Sequence, residues 1–174
     1  GRRVFEFMSS SSAGAGCHIR QGTCAEGARL GRGCRVGPYA RLRPGTNLAD
    51  DVRIGNFVEL KNASLGSGTR AARLAFIADA QIGRSVSVGC GFITCNSRGR
   101  PLKQRTVIED DVFIGSASQA IAPVTLGAGS FIATGSSVTD DVPAGSFVIS
   151  RGRQVTKPGC AGKYGKPKGT SAAR

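Results

Sequence analysis

The feature that most constrains this chain is an apolar residue at every sixth position. One series begins at Leu30 and a second begins at Ile108. The first series is Leu30, Val36, Leu42, Leu48, Ile54 and Leu60, and the second is Ile108, Ile114, Ala120, Leu126, Ile132 and Val138. An α-helix needs apolar residues at a spacing of about 3.6 and a half-buried strand needs them at about 2, so a sustained spacing of six indicates neither.

Hexapeptide periodicity is typical of a parallel β-helix, in which each short strand forms one side of a coil. With three sides, one coil takes about eighteen residues, and the aliphatic residue of each hexapeptide points into the prism. A companion residue four positions later fills the space beside it. These companions are Cys34, Ala40, Thr46, Val52, Val58 and Ser64 in the first series and Val112, Ser118, Val124, Ser130, Ser136 and Val142 in the second. The sequence therefore predicts an all-β, single-stranded parallel β-helix.

The period is interrupted between the two series. Leu65 follows Leu60 by five residues, Ile82 follows Ile77 by five, and the stretch 96–105 loses the pattern altogether. An insertion in a solenoid maps to a loop that projects from one face, and such loops commonly carry binding function. We therefore predict one domain, with an N-terminal arm at 1–12, a β-helix at 13–150 that has a loop insertion at about 96–105, and a basic tail at 151–174.

The chain has a formal net charge of +13, and its basic residues are unevenly distributed. They cluster in the loop insertion and again from Arg151 onward, where no acidic residue follows. Such clusters indicate either a solvated surface or attraction to an anionic partner, such as a phosphorylated ligand, nucleic acid or a membrane face. A polar, Gly-rich tail does not fold alone, and we expect it either to remain a solvated end or to order along an anionic partner, for which RNA in a ribonucleoprotein is the candidate. The tail residues expected to contact nucleic acid are Arg153, Lys157, Lys163, Lys166 and Lys168.

The cysteines and the single histidine form no recognisable metal-binding motif. The six cysteines make no CxxC pair and no cluster with His18, so we predict no metal site and reduced thiols, several of them acting as small core residues. The chain has no long apolar run, and we predict no membrane insertion. Reduced thiols indicate an intracellular, reducing compartment, either the cytoplasm or an organelle matrix.

Six strings resemble one known family, in the same order along the chain. They are VGPYARLRPG at 36–45, IGNFVELK at 54–61, ITCN at 93–96, DDVFIGS at 110–116, APVTLG at 122–127 and ISR at 149–151. The chain is similar to the C-terminal acetyltransferase domain of the bifunctional N-acetylglucosamine-1-phosphate uridyltransferase/glucosamine-1-phosphate acetyltransferase. The resemblance implies a left-handed β-helix and a homotrimer with active sites between neighbouring prisms. It also implies acetyl transfer from acetyl-CoA to the amine of glucosamine 1-phosphate.

The resemblance further implies which residues bind the ligands. The positions that match substrate contacts are Arg43, Lys61, Phe76, Ser87, Asn96 and Lys103, and those that match acetyl-CoA contacts are Ser116, Thr134 and Arg151. Arg43 and Lys61 match the phosphate-binding positions, and a bidentate arginine suits phosphate oxygens. Phe76 stands where the family has Tyr, and Ser87 stands where it has Asn. The loop before Lys103 is one residue longer than in the family.

The histidine that the family uses as its base is replaced. In the string TRAARLAF, at 69–76, its position is occupied by Arg73. The base takes a proton from the attacking amine, whereas an arginine side chain stays protonated at physiological pH and cannot accept one. Glu59 matches the family's pattern and remains a candidate acceptor. His18 lies outside the matching region.

Two functional hypotheses therefore stay open. In the first, the chain is a non-catalytic or strongly impaired homologue of glucosamine-1-phosphate N-acetyltransferase. It then serves as a structural or binding scaffold in an RNA-containing assembly such as an organellar ribosome, and it needs no cofactor. In the second, it is an active acetyl-CoA-dependent N-acetyltransferase for an amino-sugar phosphate or a related acceptor. Arg73 favours the first hypothesis, and the matches at Arg43, Lys61, Ser116 and Arg151 favour the second.

Overall fold

The computed structural model describes residues 7–97, 99 and 103–160. The described residues form 19 strands and no helix, and the strands belong to one sheet that winds into about eight coils. The strands are β1 (Phe7–Ser9), β2 (Ser12–Ala13), β3 (His18–Ile19), β4 (Cys24–Glu26), β5 (Arg29–Leu30), β6 (Arg35–Val36), β7 (Arg41–Leu42), β8 (Asn47–Leu48), β9 (Arg53–Leu65), β10 (Arg70–Ile82), β11 (Ser87–Val88), β12 (Ile93–Cys95), β13 (Thr106–Ile108), β14 (Phe113–Ile114), β15 (Gln119–Ile121), β16 (Val124–Leu126), β17 (Phe131–Ile132), β18 (Ser137–Val138) and β19 (Phe147–Val148).

Each strand pairs in parallel with the strand one coil further along, not with its neighbour in sequence. Arg35 pairs with Arg53, and Arg53 in turn pairs with Arg70. Side-chain hydrogen bonds between stacked coils join residues 17 or 18 positions apart, in agreement with the predicted coil length. The predicted left-handed parallel β-helix is confirmed.

The prism has three sides, which we number in the order in which the chain first reaches them. The first side contains β1, β4, β7, β12, β15 and β18, the second contains β2, β5, β8, β13 and β16, and the third contains β3, β6, β11, β14, β17 and β19. The long strands β9 and β10 cross all three sides. Because neighbouring residues of a strand point to opposite faces, each side carries one inward and one outward column of side chains.

The core consists of the apolar columns that the six-residue period predicts. Every member of both series is buried, and none exposes more than 6% of its surface. The inward columns continue from coil to coil, with Leu60 beside both Leu42 and Ile77. Burial of apolar surface contributes about 25 cal/mol per Å². Contact within and between these columns is therefore the main interaction that stabilises the fold.

One predicted core position is wrong. Ser64 is exposed, and Ala63 is buried in its place. The cause is the five-residue step from Leu60 to Leu65, which shifts the inward phase by one residue. Residues 63–65 lie at the end of β9, which continues through two corners of the coil without interruption.

The β-helix begins earlier than the predicted boundary at residue 13. Phe7 of β1 pairs with Cys24, and Ser12 of β2 pairs with Arg29. The predicted arm from Phe7 onward is therefore part of the first coil, and residues 1–6 lie outside the described residues.

The loop insertion lies between β12 and β13. The backbone N–H of Gln104 donates to the carbonyl oxygen of Asn96 at 2.9 Å, and this bond joins the two ends of the loop. After β19, the described part of the basic tail, 151–160, contains no strand. Residues 161–174 lie outside the described residues.

Candidate functional site

Arg73 lies at the corner between the third and first sides, beside Asn56 of the previous coil. The strands that precede this corner are in register, so later coils place their own residues at the same position. We call this exposed column the Arg73 corner, and it consists of Arg73, Cys90, Ser116 and Thr134. Arg151 lies at its end, where Nη1 donates a hydrogen bond to the carbonyl oxygen of Thr134. The structure thus places Ser116 and Thr134 in one column with Arg73, and Arg151 lies at the end of that column.

The side chain of Arg73 is exposed and forms no hydrogen bond or ion pair with any residue that the structure describes. Cys90, which sequence reasoning did not select, is an exposed thiol in the next coil of the same column. The signal that would have found it is the coil length, because Cys90 follows Arg73 by one coil.

The candidate proton acceptor, Glu59, lies on the first side next to Phe76. Its Oε1 accepts a hydrogen bond from Nη1 of Arg43 at 3.0 Å, and each of these two side chains is about one-third exposed, at 33% for Arg43 and 32% for Glu59. Arg43 is itself a predicted phosphate ligand. The phosphate group of a sugar substrate and the carboxylate of Glu59 would therefore compete for the guanidinium group of Arg43.

A shallow groove of about 400 Å³ runs along the first side next to the Arg73 corner. Its lining is mainly apolar and includes Phe57, Leu74, Phe76, Phe92 and Ile93, with Glu59 as the charged member. Phe57 is 59% exposed and Leu74 is 57% exposed, and the Phe57 ring stacks on Tyr39 with 5.9 Å between the ring centroids. Exposed apolar surface of this kind indicates contact with a ligand or with another subunit.

Arg43 and Lys61 occupy the same position in adjacent coils, at the corner between the first and second sides. Their alignment follows from the pairing of the preceding residues, Leu42 and Leu60. Two cations one coil apart suit the oxygens of a phosphate group.

Asp79 fastens the loop to the body of the β-helix at the same corner. Its carboxylate accepts the Nδ2 donor of Asn62 at 2.6 Å and the Nδ2 donor of Asn96. Asn96 is only 9% exposed, so this bond satisfies a nearly buried amide. Sequence reasoning missed Asp79, although it lies one coil from each of its two partners.

The remaining predicted substrate residues, Ser87 and Lys103, do not lie beside Arg43, Lys61 and Asn96 within one chain. Ser87 lies on the third side, between Arg70 and Phe113. Lys103 is exposed in the loop insertion. The predicted substrate contacts are thus distributed over two sides, one corner and the loop of the described prism, and they do not converge on one pocket.

Two carboxyl groups with lowered pKa values, those of Asp50 and Asp110, lie at a different corner, between the second and third sides. The backbone N–H of Arg32 and then its guanidinium lower the pKa of Asp50. The guanidinium of Arg84, at 2.7 Å, lowers the pKa of Asp110 together with the backbone N–H of the same residue. Both pairs join neighbouring coils and are exposed to solvent.

Two of the tail candidates, Arg153 and Lys157, are exposed, while Lys163, Lys166 and Lys168 lie outside the described residues. All six cysteines fall in the described part and are free thiols, and Cys34 is buried as predicted for a core thiol. The described ranges contain no group of three or more His, Cys, Asp or Glu side chains that could hold a metal ion. They also contain no helix able to cross a membrane.

Comparison with known proteins first defines the class. Residues 105–140 match the family described as the hexapeptide repeat of succinyl-transferase. The solved structure of Arabidopsis UDP-N-acetylglucosamine acyltransferase superposes with a TM-score of 0.61 and 16% identity, over 80% of this chain and 65% of that one. At this identity the likeness shows the fold alone. The chain has the hexapeptide-repeat β-helix fold.

Relatives of higher sequence identity match most of this chain. Bifunctional protein GlmU from Herminiimonas arsenicoxydans is 49% identical over 152 residues, which cover 87% of this chain and 33% of that protein. Bifunctional protein GlmU from Nitrosospira multiformis is 52% identical over 143 residues, which cover 82% and 31% respectively. This chain is a homologue of the C-terminal hexapeptide-repeat region of these proteins, at about 50% identity. It spans about a third of the length of these relatives.

Proposed function

We propose that this chain is an acetyl-CoA-dependent N-acetyltransferase that acts on an amino-sugar phosphate. The observation that carries the proposal is the Arg73 corner, an exposed column with polar side chains that ends at a cation. Ser116, Thr134 and Arg151 would hold acetyl-CoA, and this fit rests on hydroxyl donors along the column and a guanidinium at its end. When bound, the cofactor supplies an acetyl group activated as a thioester.

Arg43 and Lys61 bind the phosphate of the acceptor in this proposal. Their adjacent positions at one corner support a two-point contact with phosphate oxygens. Arg43 forms an ion pair with Glu59 in the protein without ligand. Phosphate binding therefore either displaces Glu59 from Arg43 or places both anions on the same guanidinium group. The apolar groove beside Phe76 accepts the non-polar face of the sugar.

The site is completed by other copies of the chain, and we propose a homotrimer. The supporting observation is that Ser87 lies on a different side of the prism from Phe76, so one chain does not surround a ligand. Light scattering coupled to gel filtration measures the mass directly. The expected value is about three times the chain mass of 17.9 kDa, and a monomer at the assay concentration contradicts this part of the proposal.

The chain lacks an efficient base in this proposal, because Arg73 stands at the family's histidine position. The acceptor amine then loses its proton to solvent, and only its free-base fraction reacts. General-base catalysis is worth about a hundred- to ten-thousand-fold in rate. Acetyl transfer is therefore slow at neutral pH and speeds up as the pH rises.

The test is release of free thiol from acetyl-CoA in the presence of glucosamine 1-phosphate, followed from neutral to alkaline pH. We expect a slow rate that increases with pH and depends on both substrates. Lys61→Gln raises the KM for the sugar phosphate, whereas Arg29→Gln, which removes an exposed charge from the second side, leaves it unchanged. Absence of thiol release by folded protein at alkaline pH refutes the proposal.

A second candidate function is a non-catalytic scaffold that binds RNA through the basic tail. The observation that favours it is Arg73 itself, together with the exposed Arg153 and Lys157. RNA binding is measured in a salt titration with the full chain and with a version that ends at Ser150. We expect the shortened chain to bind more weakly and with a smaller salt dependence. Equal, negligible binding by both versions contradicts this candidate.

A further inference from the structure

Three arginines form a straight row on the outward face of the third side. Arg35, Arg53 and Arg70 occupy the same position in successive coils and pair directly with one another, and His18 holds this position in the coil before them. We call Arg35, Arg53 and Arg70 the arginine ladder. Neighbouring strands lie about 4.8 Å apart, so the ladder is about 10 Å long.

The charges of the arginine ladder are not neutralised within the described chain. All three side chains are exposed, and none forms a hydrogen bond or ion pair with another described residue. Arg32 and Arg84, at the neighbouring corner, each pair instead with an aspartate one coil away. Like charges directly opposite each other in a sheet are destabilising. The ladder therefore does not stabilise the β-helix, and its cations are available to an external anion.

We propose that the arginine ladder binds the phosphate backbone of a single-stranded nucleic acid. Guanidinium groups bind phosphate oxygens through two parallel hydrogen bonds. A single strand is flexible and can lie along a straight row, and the long arginine side chains accommodate the difference between phosphate spacing and coil spacing. Contacts of this kind follow a charged track along the strand.

The residues that follow the arginine ladder in the same outward column indicate that the bases contribute little to binding. After Ser87 it continues as Phe113, Phe131 and Phe147, whose stacked rings have centroids 4.4 Å and 5.5 Å apart. Where these rings face one another, a base cannot insert between them. Binding therefore occurs through phosphates, with little preference for base sequence.

The proposal does not depend on acetyltransferase activity. The experiment measures the affinity of a fluorescent oligouridine for the full chain by anisotropy, between 50 and 200 mM salt. The test variant is the triple change Arg35→Gln, Arg53→Gln and Arg70→Gln. The matched control is Arg29→Gln, Arg32→Gln and Arg84→Gln, which removes the same charge from the second side and its corner.

We expect the ladder variant to bind more weakly and the control to bind like the unmodified chain. At about 0.7 per phosphate contact, loss of three contacts lowers the slope of log affinity against log salt by about 2. The factor by which affinity falls between 50 and 200 mM salt is then about twenty times smaller for the ladder variant than for the unmodified chain. Circular dichroism confirms that each variant is folded. If the triple variant does not fold, Arg53→Gln alone lowers the slope by about 0.7.

Several results would overturn the proposal. Equal weakening in the ladder variant and the control means that net charge, not the ladder, attracts the oligonucleotide. An unchanged slope in the ladder variant, or in Arg53→Gln, removes the ladder from the interface. Polyglutamate and unlabelled oligouridine are also compared as competitors at the same concentration of charge. If they compete equally well, the surface binds acidic chains in general.

Discussion

Replacement of Asp79 by asparagine tests how the loop insertion is held to the β-helix. The carboxylate of Asp79 accepts hydrogen bonds from Asn62, at 2.6 Å, and from Asn96. An asparagine at this position has one acceptor oxygen and one NH₂ group, so it accepts one of these bonds and opposes the other with a donor. Asp79 has a φ of 51°, which asparagine tolerates. The substitution therefore changes hydrogen bonding without adding backbone strain.

The expected magnitude follows from the environment of Asn96. A hydrogen bond to a charged group contributes about 1.5–3 kcal/mol, and a buried donor that loses its partner costs about 1–3 kcal/mol. The Asn62 bond is exposed, whereas Asn96 is nearly buried, so the larger effect comes from Asn96. We expect Asp79→Asn to lower the free energy of unfolding by about 2 kcal/mol.

Urea unfolding followed by circular dichroism measures this loss, and hydrogen exchange measures the opening of residues 96–105. Asp51→Asn is the matched control, because Asp51 is exposed, has a φ of 59° and makes no side-chain hydrogen bond within the described ranges. We expect the control to change stability by less than about 0.5 kcal/mol. Equal stability of the two variants, with unchanged exchange in the loop, contradicts this role of Asp79.

Three further predictions concern the core, the charged corner and the thiols. Ile114 is fully buried between coils that cannot collapse, so Ile114→Ala should lower the free energy of unfolding by about 4 kcal/mol and Ile114→Val by about 1 kcal/mol in urea titrations. The pKa of Asp110 lies below its ordinary value of 3.8, so the stability it contributes is present above about pH 4 and is lost as the pH falls through the lowered value. Asp110→Asn should therefore make the free energy of unfolding depend less steeply on pH in the acid range. An equally steep dependence contradicts a stabilising role for the Asp110 carboxylate. Burial raises the pKa of the Cys34 thiol to about 11, so mass spectrometry should find Cys34 unmodified by thiol reagents at about pH 8 while the exposed Cys90 reacts.

The fold could be predicted because the core of a β-helix repeats with every strand. Each inward column requires an apolar residue once per hexapeptide, and the two series in this sequence satisfy that requirement at every step. The same period continues upstream through Ala13, Ile19 and Ala25, which pair with Leu30 and its successors. A five-residue step from Ala25 to Leu30 hides this continuation in the sequence. The predicted position of Ser64 is wrong because such a step shifts the phase, and the predicted arm boundary is wrong because a further five-residue step separates Met8 from Ala13.

The candidate site was predictable only in part. The coil length aligns Arg73 with Cys90 and Ser116 with Thr134, but the alignment of these two pairs spans the loop insertion and required the strand register. The contacts of long polar side chains are not implicit in the sequence, because they depend on rotamers and on diagonal reach between coils. The ion pair of Arg43 with Glu59 and the double acceptor role of Asp79 are of this kind. The assignment of Ser87 to a separate side also required the strand register.

In the proposed function, Arg73 limits acetyl transfer on a chain that keeps the other predicted ligand-binding residues. The most direct test compares thiol release from acetyl-CoA with glucosamine 1-phosphate for the unmodified chain, Arg73→His and the control Arg29→His. We predict that Arg73→His raises the rate at neutral pH by about a hundred-fold or more, with a pH profile that follows an imidazole near 6.5. The control should match the unmodified chain. Equal rates for all three folded proteins contradict the account.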